Sequence, residues 1–154
     1  MNQEEFAAVC HRHALKVTPQ RSEIFRQMQA CRDHLSAEAL YRRVRCVFPR
    51  ISFDTVHRTL QTFAAVGLAR VVEGTGLPRR FDVNTRRHHH FWCRHCNRLI
   101  DIPHDGLKVG RIPAVLEGRH HVASARLVLE GVCEDCLASG SKSPNPGLDG
   151  GLEL

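Results

Sequence analysis

Residues 52–83 read SFDTVHRTLQTFAAVGLARVVEGTGLPRRFDV, and the order of features in this stretch decides the fold. Ser52 can cap a helix, with Asp54 in its positive first turn. Val56, Leu60, Phe63 and Ala64 recur at helical spacing and make one face, while Asp54, His57, Arg58 and Gln61 make the opposite face. Gly67 stops the helix. Leu68–Glu73 and Arg79–Val83 then look like two strands, joined by a turn-rich tip over 74–78. A helix with one polar face, followed by a basic hairpin, predicts a winged helix-turn-helix.

Upstream, the chain reads as consecutive helices. Phe6, Val9, Cys10 and His13 share one helical face. Thr18-Pro19 opens a second helix: Thr can cap, and Pro in the first turn gives up no needed hydrogen bond. Its apolar side is Ile24, Phe25 and Met28. Ser36 caps a third helix, whose expected buried stripe is Leu40, Val44, Val47 and Phe48, and Pro49 ends it.

Downstream of residue 83 the character changes. The chain has 154 residues and a formal net charge of +6, but residues 1–87 hold 15 Lys and Arg against 8 Asp and Glu, and residues 88–154 hold 7 against 8. The positive charge belongs to the first part, which suits a polyanion partner. Strand-like pieces follow at Arg98–Ile102 and Val122–Val132, with a short helix expected between them. Residues 138–154, rich in Gly, Ser and Pro, offer little to bury and are expected to be disordered. Neither a signal-peptide-like start nor an apolar membrane-spanning run is visible, so a cytoplasmic protein is expected.

Of 7 cysteines, four form two CxxC pairs, Cys93/Cys96 and Cys133/Cys136. Each pair can place two thiolates on one ion, and two pairs complete a tetrahedron that suits structural Zn(II) and leaves no open position. The 36 residues between the pairs exceed the gap of a simple zinc ribbon, so a small folded unit must lie between them. Redox dithiols or buried free thiols are the competing readings. Just before Cys93 stands His88-His89-His90. On a strand His88 and His90 point together and His89 points away. Asp82 precedes them and Asp101 follows, and imidazole with carboxylate suits Fe(II), Mn(II) or Zn(II). His89, His95, His120 and His121 are read as surface residues.

The helix over 52–66 offers His57, Arg58 and Gln61 to a major groove, and Arg58 could donate two hydrogen bonds to guanine. Arg50, Ser52, Arg79 and Arg80 could hold phosphates. A solvated face on a protein-docking module is the competing reading.

Thr18-Pro-Gln-Arg21, Asp33-His-Leu-Ser-Ala-Glu-Ala-Leu-Tyr41, Ser52-Phe-Asp-Thr-Val-His-Arg58, Arg80-Phe-Asp82, His88-His-His-Phe-Trp-Cys-Arg-His-Cys96 and Gly131-Val-Cys-Glu-Asp-Cys136 together resemble the ferric uptake regulator family, up to about residue 137. The resemblance implies an α+β fold. A winged helix-turn-helix domain over 1–83 precedes a small α/β dimerisation domain over 84–137 with the four-cysteine zinc site. It also implies a regulatory Fe(II) or Mn(II) held by His34, Asp82, His88, His90 and Asp101. Asp rather than Glu at 101 resembles the peroxide-sensing branch, in which oxidation of His34 or His88 would release DNA. His57 departs from the Tyr usual in the family, and Ala125 stands where relatives often place a metal-binding His. The expectation is a homodimeric repressor on a near-palindromic double-stranded operator, with no membrane and no small organic substrate. An iron- or zinc-responsive repressor without peroxide chemistry is the alternative. No nucleophile motif, separate general base or substrate-pocket signature points to an enzyme.

Overall fold

The computed structural model describes residues 2–31, 34–72, 79–106, 113–118, 120–123 and 125–140. The chain falls into two compact units, Met1–Arg86 and Arg87–Leu154. The expected wing tip over 74–78 and the expected tail from 141 onward lie outside the described residues.

The first unit is helical with a small sheet. Helix α1 (Gln3–Arg12) opens with a capping box in which the Asn2 side chain and Glu5 satisfy each other's backbone N–H groups at 2.8 and 2.7 Å. It ends before His13, so His13 is exposed rather than part of the apolar stripe. The chain leaves this helix through Ala14 at φ 53, a left-handed turn closed by Leu15 N–H on Cys10 O at 2.8 Å. Helix α2 (Pro19–Gln29) is capped by Thr18, as its sequence predicts. Helix α3 (Ala37–Arg45) is capped by Ser36, and helix α4 (Phe53–Ala65) by Ser52.

Because α3 stops at Arg45, Val47 is 50% exposed, against the expectation that it joins the buried stripe. Phe6 stacks on Phe25 at 4.5 Å, and both meet the edge of Phe63. Ile24, Leu40, Val44, Val56 and Leu60 complete a core with no exposed surface.

Strands β2 (Arg70–Val72) and β3 (Arg80–Asp82) pair antiparallel, as a wing should. The first begins two residues later than expected, because Leu68 and Ala69 turn into the core after Gly67. The sequence did not announce β1 (Leu35–Ser36), which pairs with the other edge of β3 and gives the order β1-β3-β2. A two-residue strand carries too little periodicity to be read.

The second unit is a three-stranded sheet in the order β5-β4-β6. Strand β4 (His88–Cys93) is central, antiparallel to β5 (Leu99–Pro103) and parallel to β6 (Val128–Gly131). A short 3₁₀ turn, His104–Gly106, follows β5, and helix α5 (Glu134–Ala138) closes the unit. Among the described residues of the expected strand 122–132, four enter the ladder.

Candidate functional site

Among the described residues of the second unit, three cysteines form a buried cluster. Cys93, Cys133 and Cys136 are buried together under Phe91 and Val132. Cys93 closes β4, and the chain turns back through Asn97 in the left-handed region, with Asn97 N–H on Cys93 O at 2.9 Å. Cys133 caps α5, and Cys136 lies one turn inside it, so both point the same way. All four Sγ atoms lie within 4.8 Å of one another. Cys93 to Cys136 is 3.9 Å and Cys96 to Cys133 is 3.7 Å. Sulfurs about 2.3 Å from one tetrahedral ion stand about 3.8 Å apart, whereas a disulfide requires about 2.05 Å. The donor set therefore fits zinc and excludes disulfides in this conformation.

Electrostatics point the same way. Burial would raise the Cys93 thiol, but backbone N–H groups of Cys96, Cys133 and His95 outweigh it and bring it down to about 6. Burial and neighbouring thiols push Cys136 up to about 12. The cluster tolerates one thiolate readily and resists four, unless a dication balances them. Outside the quartet, Arg98 pairs with Asp135 and ties the first CxxC turn to α5.

Nitrogen and oxygen donors gather in each unit. In the second, the β4–β5 register sets Asp101 directly across from His90. His88 Nε2 and His90 Nε2 are 2.9 Å apart, and Asp101 Oδ1 is 3.6 Å from each. In the first, His34 precedes β1 and Asp82 ends β3, with His34 Nε2 3.7 Å from Asp82 Oδ2. Asp82 Oδ1 accepts the Asn84 N–H at 2.7 Å, which orients the carboxylate. Donors about 2.1 Å from one ion lie about 3 Å apart when cis and about 4.2 Å when trans. Both groups fall within that range, and neither contains sulfur.

His89 is a correction to the sequence reading: it is fully buried, not at the surface. Its Nδ1 accepts the Leu127 N–H at 3.1 Å, and its Nε2 is 3.3 Å from His104 Nδ1. Strand alternation gave its direction, but whether anything covered that face depended on a segment 38 residues away. His95, His120 and His121 are exposed, as expected.

Among the DNA-reading candidates, Arg58, Gln61, Arg50 and Arg79 are exposed, and His57 is half-buried. Arg58 Nη1 reaches Asp54 Oδ2 at 3.2 Å. The Ser52 hydroxyl is occupied in capping, accepting Thr55 N–H at 3.1 Å. Arg80 turns inward: its Nη1 donates to the His34 carbonyl at 2.8 Å. The open groove beside α4, about 880 Å³, carries Lys16, Arg21 and Arg50. Sequence reasoning had passed over Lys16 and Arg21, which stand far from α4 along the chain.

A sequence model of the ferric uptake regulator family matches residues 12–129. The chain is 28% identical over 138 residues to the peroxide-responsive repressor PerR of Staphylococcus epidermidis, covering 90% of this chain and 92% of that protein. It is 35% identical over 129 residues to the ferric uptake regulation protein of Synechococcus elongatus, covering 80% and 87%. Its fold matches the Helicobacter pylori ferric uptake regulator with a TM-score of 0.67 at 21% identity, over 87% of this chain and 90% of that one.

Proposed function

The chain belongs to the ferric uptake regulator family of metal-responsive regulators, and on that premise we propose that it is a metal-dependent, DNA-binding repressor that senses peroxide. Its first unit reads a near-palindromic operator as part of a homodimer in the cytoplasm. Cys93, Cys96, Cys133 and Cys136 hold structural Zn(II). His34, Asp82, His88, His90 and Asp101 hold the regulatory Fe(II) or Mn(II), as the family resemblance implies. The observation that carries the reading is the sulfur-free group on β4 and β5, where one carboxylate oxygen faces two imidazole nitrogens at 3.6 Å.

The chain's own residues supply the coupling. Asp82 ends the central strand of the wing sheet, and His34 immediately precedes its edge strand β1. Ligation there is a differential contact that favours one DNA-competent arrangement over others. Bound Fe(II) would supply the electrons for reducing peroxide beside the ligand rings, and a ring so oxidised no longer donates. The zinc thiolates stay structural.

Operator binding measured with and without added Mn(II) tests the first part: Asp82→Ala and His90→Ala should lose the dependence on metal. Dilute peroxide on the iron-loaded protein tests the second, through gain of one oxygen atom on the peptides carrying His34 or His88. The identity to the Synechococcus ferric uptake regulation protein, higher at 35%, favours an iron- or zinc-responsive repressor without peroxide chemistry as the second reading. Unmodified histidines with DNA binding retained would select it.

A further inference from the structure

An aromatic row crosses from α3 to α4 on the surface of the first unit. Arg45 Cζ lies 5.9 Å over the Tyr41 ring. Tyr41 meets the edge of Phe53 at 5.8 Å and 89°, and Phe53 lies nearly parallel to His57, 13° between planes at 5.8 Å. Phe53 stays 40% exposed, so the row is not simply an extension of the core. Its effect is to hold the His57 ring in one orientation on α4, immediately before Arg58.

The charges around this ring are mixed. From α3, the Glu38 carboxylate interacts electrostatically with His57, and Arg42 acts on the same carboxylate. From α4 itself, Asp54 is already engaged by Arg58 at 3.2 Å, 74% and 69% exposed for Arg and Asp. The aromatic neighbours Tyr41 and Phe53 carry no charge near neutral pH. Helix α2 meets α4 on its apolar side, where Phe25 packs on Phe63, and β2 also adjoins α4.

We infer that His57 reads an acceptor-only base edge, that of guanine, as the imidazolium, so that operator binding takes up one proton. The inference rests on the DNA-binding reading above. Guanine presents two acceptors, N7 and O6, in the major groove and thymine only O4 beside its methyl group, whereas adenine and cytosine present amino donors there. An imidazolium donates from both nitrogens and accepts from neither, so it discriminates against those amino groups. Imidazole ordinarily titrates near neutral pH, and a groove lined by phosphates favours its charged form. Glu38 supplies a counter-charge on the protein side, and the stack with Phe53 keeps the ring from swinging away to solvent. The proton comes from the buffer and returns to it on release, with no other bond made or broken.

The test uses full-length protein with saturating Mn(II) and a duplex that the wild-type protein selects from a random-sequence pool. Affinity is measured by fluorescence anisotropy from slightly acidic to slightly alkaline pH for wild type, His57→Asn and His57→Arg. Wild-type affinity should fall about fivefold as pH rises across the imidazole range, as uptake of a proton on binding requires. His57→Asn should bind weakly with a shallower pH dependence, and His57→Arg, permanently charged, tightly with the same shallow dependence. Any pH dependence from metal-ligand histidines is common to all three proteins. If His57→Asn kept the full wild-type slope, or His57→Arg bound no better than His57→Asn, the inference would be overturned. If wild type selected no duplex at all, the DNA-binding reading would fail, and this inference with it.

Discussion

Cys136 shows how much one atom can be asked to carry. Its sulfur stands 3.9 Å from that of Cys93, in a cluster with Cys133 packed under Phe91 and Val132. In a site of four thiols, metal binding becomes folding energy. Cys136→Ser should remove the tightly held zinc and, with it, stability on the order of 10 kcal/mol at most. Metal analysis and the thermal unfolding of the second unit check this; retained zinc with unchanged unfolding would show that three sulfurs suffice. That the two CxxC pairs, Cys93/Cys96 and Cys133/Cys136, share one site could be expected from spacing alone. That Cys93 lies under backbone N–H groups could not, because those donors come from Cys96, Cys133 and His95 after the chain has folded back.

Elements show why capping residues were legible and strand edges were not. Thr18, Ser36 and Ser52 all cap the helices their positions announce, since the cap acts on an N–H only three residues away. Gly67, at φ +77 with open space around its α-carbon, ends α4 by conformation alone. Gly67→Ala should therefore cost about 1 kcal/mol of stability by denaturant unfolding, purely as backbone strain. At the start of α3, the Glu38 carboxylate is held below its ordinary range, first by its own backbone N–H and then by the Ser36 hydroxyl. A depressed carboxylate contributes stability above its unfolded pKa and loses it as pH falls through the lower folded value. Below about pH 4 the wild type should lose melting temperature more steeply than Glu38→Gln, which lacks the carboxylate at every pH. Parallel slopes for the two proteins would refute that role. β1 went unread because only its partner β3 makes it a strand.

At the scale of the whole chain, charge is divided along the sequence, with 15 Lys and Arg against 8 acids in residues 1–87. Binding of the manganese-loaded protein to duplex DNA should weaken steeply with salt, as released counterions require. Arg50→Ala should lower the slope of log affinity against log salt by about 1, without changing which sequence is preferred. A slope unaffected by that change would move Arg50 off the phosphate backbone. Arg80 was grouped with Arg50 and Arg79 on composition, yet it is committed to the His34 carbonyl at 2.8 Å. Salt slopes should reflect that difference too.

Local physics is written in the order of residues, and the sequence by itself determined whatever depends on it: the helices and their caps, the polar face of α4, the two thiol pairs, and the alternation that sets His88 and His90 together. Tertiary structure alone decided which strand edge meets which, and so what stands opposite what. It put Asp101 across from His90, buried His89 against His104 and Leu127, and turned Arg80 inward. Those outcomes rest on hydrogen-bond register between distant segments, and a single chain's periodicity carries no information about the partner it will find.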